Sequence, residues 1–146
     1  AKQNKNKQLT LLAPTTFMNK SGDAVGKVVK SKTAAAKLIV VHDDLDLPFG
    51  RFKISFGRGS GGHRGVESII KKLKMEKFIR LRVGIAPTTP TGKIKKPQGE
   101  DKIVKFILGK FTPKEETGLK KLMPKLLEAL EMLTTAGLAP AMNKFN

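Results

Sequence analysis

One buried-strand pattern limits the possible folds of this chain more than any other feature. Residues 38–41 read LIVV, and residues 42–50 read HDDLDLPFG. A run that is apolar at every position is typical of a strand covered on both faces of a mainly parallel sheet, because both faces must exclude water. The pattern therefore predicts a central strand that ends at His42, with acidic residues just beyond its carboxyl end, where α/β sheets collect their functional groups.

Other segments have the patterns of further strands. RFKISF at 51–56 and FIRLRVGI at 78–85 alternate apolar with polar side chains, which is typical of strands with one solvent-facing side. A shorter apolar run, QLTLLA at 8–13, ends at a proline and predicts another strand. The polar sides of the two alternating segments are rich in arginine and lysine, so they predict a basic surface.

Helices are predicted between and after these strands. Apolar residues recur at helical spacing within 21–30 and 66–73. Thr112, Pro113 and Glu115 form a capping-box pattern before a leucine-rich stretch. Strands that alternate with helices indicate an α/β fold, so we predict one domain over residues 1–146, a three-layer sandwich around a mixed, mainly parallel sheet.

The charge balance indicates the class of partner. The 146 residues contain 29 Lys and Arg against 12 Asp and Glu, a formal net charge of +17. Such an excess favours a polyanion, and no apolar run approaches the roughly 18 residues of a membrane-spanning helix, so nucleic acid is the favoured partner. The chain has no cysteine, which excludes disulfides, thiolate zinc sites and cysteine nucleophiles, and we expect a cytoplasmic protein.

The acidic cluster allows several interpretations. Asp43, Asp44 and Asp46 could be metal ligands, general bases or acids that orient a histidine, although hydrogen bonds in a turn are the ordinary role of such residues. Side chains alternate along a strand, so Asp43 and Asp44 should point in opposite directions, and one of them should be structural. A metal site is the least favoured of these roles, because it needs more converging oxygens than this spacing provides.

Two loops contain further candidate residues. The segment GRGSGGHRG at 57–65 has enough glycine to direct backbone N–H groups at an anion, but it has no Gly-Lys-Ser/Thr sequence, so it is not a Walker A loop. His63 in this loop could be catalytic, although a structural hydrogen bond is its more ordinary role, and His42 is expected to be structural. In the TTFMN loop, Asn19 could simply cap the helix that follows.

Five motifs in order along the chain resemble a known family: PTTFMNKSG, HDDLDLPFG, GGHRGVESI, RLRVGI and AMNKFN. Together they resemble the bacterial-type peptidyl-tRNA hydrolases from about residue 9 onward. The resemblance implies a monomeric α/β enzyme that hydrolyses the ester between a nascent peptide and the 3′ ribose of tRNA, with no cofactor, no metal and no membrane attachment. Peptidyl-tRNA as the partner would explain the net positive charge.

The resemblance also implies roles for single residues. Asn19 matches the asparagine that positions the substrate ester and the attacking water, while Phe17 and Met18 match its apolar neighbours along the peptide cleft. Asp43 matches the acid that orients the catalytic histidine, and so would not itself be the general base. The remaining matches are the cleft-bordering turn and C-terminal asparagine, Gly62, His63 and Asn143, and two basic residues expected to meet acceptor-stem phosphates, Lys53 and Arg82.

The sequence departs from the family pattern at two places. Arg64 stands where the family's GGHNG has asparagine, and a guanidinium can donate to a phosphate or a substrate carbonyl but cannot accept a hydrogen bond. The family's opening strand and the TRHN-like stretch with the catalytic histidine have no match, and neither His42 nor His63 corresponds to that histidine. We therefore expect an N-terminally incomplete hydrolase domain, inactive as given; the alternative is a non-catalytic RNA-binding module of the same fold, similar to splicing cofactors.

Overall fold

A three-stranded sheet forms the centre of the fold in the computed structural model, which describes residues 9–146. The strands are β1 (Ile39–Pro48), β2 (Phe52–Phe56) and β3 (Ile79–Ala86), in the order β1-β3-β2. β1 pairs with β3 in parallel, and β2 pairs with β3 in antiparallel fashion. The predicted mixed sheet is confirmed, but one of its two described pairings is antiparallel, so the sheet is not mainly parallel.

Helices pack against both faces of this sheet, which confirms the α/β class. They are α1 (Ser21–Val28), α2 (Lys32–Ala36), α3 (Arg64–Leu73), α4 (Glu100–Ile107), α5 (Pro113–Thr135) and α6 (Leu138–Phe145). On one face, Val25 of α1 and Val66 of α3 pack with Val40 of β1. On the other face, α5 and α6 cover Ile54 and Leu81. Successive residues of β1, such as Ile39 and Val40, thus face different helices, as side-chain alternation requires.

Two of the predicted strands differ from the structure. Residues 9–13 have no regular structure, and Gln8 lies outside the described residues. Leu11 is 86% exposed, and no described strand pairs with this run, so it has no ladder hydrogen bonds to keep it extended. β1, in contrast, continues past His42 to Pro48, because β3 supplies partners for Asp43, Asp44 and Pro48, with a register shift between Asp44 and Pro48.

The capping box at the start of α5 is confirmed. The Thr112 hydroxyl accepts a hydrogen bond from the Glu115 backbone N–H, and the Glu115 carboxylate accepts one from the Thr112 N–H at 2.7 Å. α5 then runs through Pro124, which is exposed. Within residues 9–146 no helix, α5 included, is both long and apolar enough to cross a membrane.

Candidate active site

Asp43 and His63 form a polar pair between β1 and the start of α3. His63 Nε2 lies 3.1 Å from Asp43 Oδ1. The other ring nitrogen, Nδ1, accepts a hydrogen bond from the Val66 backbone N–H at 3.1 Å, so His63 is the N-cap of α3. Since Nδ1 is an acceptor, Nε2 must hold the ring proton and donate it to Asp43. The structure therefore fixes one tautomer of His63.

Asp43 is held in its ionised form. The hydrogen bond from His63 is the main reason that the pKa of Asp43 lies below its ordinary value, although burial acts in the opposite direction. An ionised carboxylate is only an acceptor of hydrogen bonds, and it stabilises a positive charge on a neighbouring imidazole. Asp43 thus has the chemistry of an acid that orients a histidine.

Neither histidine of the chain has an accessible, unpaired ring nitrogen that could act as a general base. Both ring nitrogens of His63 are engaged, one with Asp43 and the other with the N-terminus of α3. His42 Nδ1 lies 2.7 Å from the Asp43 carbonyl, to which it donates, and its Nε2 is buried without a hydrogen-bond partner. Burial lowers the pKa of His42 to about 4. Its remaining lone pair is therefore shielded from a bound water.

The depressed pKa of His42 predicts a pH-dependent stability. His42 has a pKa of 6.5 in the unfolded chain and of about 4 in the folded chain. Between these two pH values the unfolded chain therefore binds a proton at His42 and the folded chain does not. Stability is thus fully present above pH 6.5 and is lost as the pH falls, by about 2 kcal/mol between pH 7 and pH 5. Urea unfolding at both pH values measures this loss. His42→Asn should remove most of the pH dependence, and an unchanged slope in the variant would contradict the assignment.

Asp44 points away from Asp43 and pairs with Arg82. Arg82 Nε donates to Asp44 Oδ2 at 2.6 Å, and the two side chains are only 21% and 12% exposed. Burial, the largest influence, would raise the pKa of Asp44, but hydrogen bonds from Arg82 and the Asp46 N–H together hold it below its ordinary value. The sequence predicted that one acid of the pair is structural, and Asp44 is the one with a structural partner.

The FMN loop and the glycine-rich turn meet at Gly65. A Cβ built on Gly65 would lie 2.5 Å from Met18 Sδ and 3.0 Å from His63 Cε1, so only glycine lets the two loops approach. The Ser21 hydroxyl donates to the Met18 carbonyl at 2.8 Å and closes a 3₁₀ turn at Met18–Lys20. In that turn Asn19 makes no side-chain cap to α1, contrary to the ordinary role of such a residue.

A cleft of about 580 Å³ lies beside this junction, between α1 and α3. Asn19 and Arg64 both line it, and its other lining residues are Asp23, Glu67, Ser68, Lys71 and Lys72. Arg64 forms an ion pair with Glu100 at the start of α4. Within residues 9–146 no group of three His, Asp or Glu side chains is arranged to hold a metal ion. The cleft is lined by polar groups suited to hydrogen bonding.

Comparisons with known proteins identify the family. The sequence profile described as peptidyl-tRNA hydrolase matches residues 1–146. The chain belongs to the peptidyl-tRNA hydrolase family. Peptidyl-tRNA hydrolases from Syntrophotalea carbinolica and Geotalea uraniireducens are 39% and 40% identical to it, over 93% and 95% of this chain. The crystal structure of the Acinetobacter baumannii peptidyl-tRNA hydrolase superposes with a TM-score of 0.76 at 28% identity, over 91% of this chain.

These family members are longer than the chain. It spans 67% and 68% of the two relatives' length and 63% of the crystallised protein. The family match and the superposition confirm the resemblance seen in the ordered motifs, together with the α/β fold.

The structure brings some of the predicted site residues together and leaves others apart. Gly62 precedes His63 at the turn, with a φ of 83° that favours glycine. Phe17 is 79% exposed next to the cleft residue Asn19. Asn143 lies exposed on α6, and no described contact joins it to the Asp43–His63 pair.

One asparagine with a clear structural role is not indicated by any sequence motif. Asn146 Oδ1 accepts from the Ile54 N–H at 2.8 Å, and its Nδ2 donates to the Ile54 carbonyl at 2.9 Å. The side chain amide therefore continues the hydrogen-bond ladder at the outer edge of β2 and fixes α6 to the sheet. No local pattern indicates this contact, because its two partners are 92 positions apart in the sequence.

Proposed function

We propose that the protein hydrolyses the ester bond between a nascent peptide and the 3′ ribose of tRNA, releasing the peptide and recycling the tRNA. The observation that carries the proposal is the ionised Asp43 hydrogen-bonded to an imidazole, next to the Gly65 junction where the FMN loop meets the glycine-rich turn. We further propose that the protein is a monomer and that it acts in the cytoplasm, where tRNA is found. The family relatives are named as hydrolases, which does not support a non-catalytic RNA-binding module.

Each side of the cleft suits one part of such a substrate. The Asn19 amide can donate to the ester carbonyl and accept from the attacking water, because it has both kinds of group. Phe17 and Met18 are 79% and 54% exposed, so they offer an apolar surface for peptide side chains. Arg64 lines the same cleft and supplies a positive charge where the family has a neutral amide, which favours a phosphate or a carbonyl of the substrate.

Among residues 9–146, which the structure describes, no histidine is placed to act as the general base. The Asp43 carboxylate is committed to His63, the His63 ring has no unused nitrogen, and His42 is buried with a low pKa. We propose that residues 1–146 by themselves bind tRNA, and that cleavage of the ester also requires a histidine beside Asp43. A histidine delivered beside Asp43 would replace His63 as its partner and would complete the site.

A complementation experiment tests the proposed function. The chain alone and the chain preceded by the N-terminal segment of the Geotalea uraniireducens relative are incubated with N-acetyl-aminoacyl-tRNA, and release of the amino acid is followed. We expect cleavage only by the complemented chain, and Asn19→Ala in it should abolish cleavage while leaving tRNA affinity nearly unchanged. A complemented chain that folds and binds tRNA but never cleaves the ester would refute the proposal.

Lys53 provides a prediction about tRNA binding. It is exposed on β2, directly opposite Arg82 in the ladder with β3. If it contacts a phosphate, Lys53→Gln should weaken tRNA binding and flatten the log–log salt dependence by about one unit. Lys37→Gln is the matched control, because Lys37 is also exposed but precedes β1 at the opposite edge of the sheet. Equal effects of both substitutions would mean that only net charge matters.

A further inference from the structure

A second cleft lies at the first turns of α5, away from the candidate active site. It encloses about 460 Å³, and its lining residues are Phe49, Lys114, Glu115, Thr117, Gly118 and Lys121. None of these residues lines the cleft that contains Asn19. Phe49 follows β1 directly, and its backbone N–H donates to the Ala86 carbonyl at 2.8 Å, which anchors the ring's position to the end of β3.

One aromatic ring, that of Phe49, lines this cleft, and a second, that of Phe111, lies beside it. The edge of the Phe49 ring rests on the helix backbone at Gly118, where an added Cβ would lie 2.8 Å from Phe49 Cε1. The Phe111 ring lies 6.5 Å from the Phe49 ring, centroid to centroid, tilted by 54°. Phe111 is 46% exposed. An angled pair of apolar rings is therefore partly open to solvent beside a charged helix.

The helix face next to these rings has an unbalanced positive charge. Lys114, Lys121 and Lys125 are exposed and follow one another at positions i, i+7 and i+11, which places them on one side of α5. Within the described part of the chain, no ion pair engages any of the three. The nearby Glu115 carboxylate is occupied by the N–H and hydroxyl of Thr112. The positive charge beside the cleft is therefore complementary to an anion.

We propose that this cleft binds an unpaired nucleotide of a single-stranded RNA segment. The base stacks on the Phe49 ring, with the tilted Phe111 ring at its edge, and the phosphates on either side of it pair with Lys114 and Lys121, which lie about 10 Å apart along the helix axis. An acidic peptide would match the lysines but has no planar base to stack on the Phe49 ring. The proposal relies on the proposed function only for tRNA as the natural source of the RNA.

Fluorescence of a labelled oligonucleotide tests the proposal. The chain contains no tryptophan and no tyrosine, so a four-nucleotide RNA with one 2-aminopurine base can be followed without background from the protein. We expect quenching on binding, since a stacked 2-aminopurine loses its emission. Phe111→Ala should remove most of the quenching and weaken binding by about 5- to 100-fold.

A second variant fills the cleft from the helix side. Gly118→Ala should force the Phe49 ring out of place and also reduce quenching, whereas α5 itself should be preserved because alanine favours a helix more than glycine does.

Lys121→Gln should lower the slope of the log–log salt dependence of RNA binding by about 0.7 units. Lys120→Gln is the matched control, because Lys120 is exposed on the same helix but points about 100° away from Lys121.

The outcomes separate this proposal from the proposed hydrolysis. Unchanged quenching in Phe111→Ala and Gly118→Ala would overturn the nucleotide site, whether or not the complemented chain cleaves peptidyl-tRNA. Equal binding of an oligonucleotide that lacks the base, or full displacement by a poly-glutamate peptide, would also overturn it. Loss of quenching in both variants, with Lys120→Gln unchanged, would support the site even if the complemented chain proved inactive.

Discussion

Asp43→Asn in the complemented chain should lower the turnover of peptidyl-tRNA by about 10²- to 10⁴-fold, with little change in substrate affinity. The amide has the size of the carboxylate but no charge, so it cannot stabilise the imidazolium that forms when a histidine takes a proton from water. Its NH₂ group can also select the wrong tautomer of the ring. Single-turnover cleavage of N-acetyl-aminoacyl-tRNA and separate measurement of tRNA binding distinguish the two effects.

Asp46→Asn is the matched control for this prediction. Asp46 undergoes the same chemical change three positions away, but it is exposed and pairs with Lys96 at 2.8 Å rather than with a histidine. We expect the control to retain nearly full turnover. If Asp43→Asn reduced turnover and tRNA affinity by the same factor, the carboxylate would be structural, and its role as an orienting acid would be wrong.

Arg82→Gln should lower the free energy of unfolding by about 3 kcal/mol. The substitution leaves the carboxylate of Asp44 mostly buried, with a 12% exposed side chain and without its ion-pair partner. An uncompensated buried charge costs far more than the loss of an exposed ion pair. Urea unfolding at pH 7 measures the change, and Asp44→Asn added to the variant should recover part of it by removing the unpaired charge.

The same variant distinguishes the two possible roles of Arg82. Lys53 lies opposite it and is exposed, so Lys53→Gln should affect tRNA binding without affecting stability. The resemblance to the family implies a phosphate contact for Arg82 as well. If Arg82→Gln folded as stably as the unchanged protein and lost only tRNA affinity, Arg82 would be an RNA contact rather than the partner of a buried acid.

The sequence by itself determined the elements whose signals are local. The alternation in 51–56 and 78–85 predicted β2 and β3. Side chains alternate between the two faces of a strand, so a strand with one apolar face has an apolar side chain at every second residue. The capping box at Thr112 gave the start of α5, since both of its hydrogen bonds join residues three positions apart. The ordered motifs gave the family, and side-chain alternation gave the divergent directions of Asp43 and Asp44.

Only the tertiary structure decided how the site residues are paired. The partners of Asp43 and Asp44 lie 20 and 38 positions away, and the sequence has no periodic signal over such distances. β1 extends to Pro48 because β3 offers it backbone partners, a property of the neighbouring strand rather than of the acidic residues themselves. The Phe49 cleft likewise exists because one ring from the sheet edge meets one glycine of α5. Local patterns determine which elements form, whereas long-range hydrogen bonds and packing determine which side chains meet.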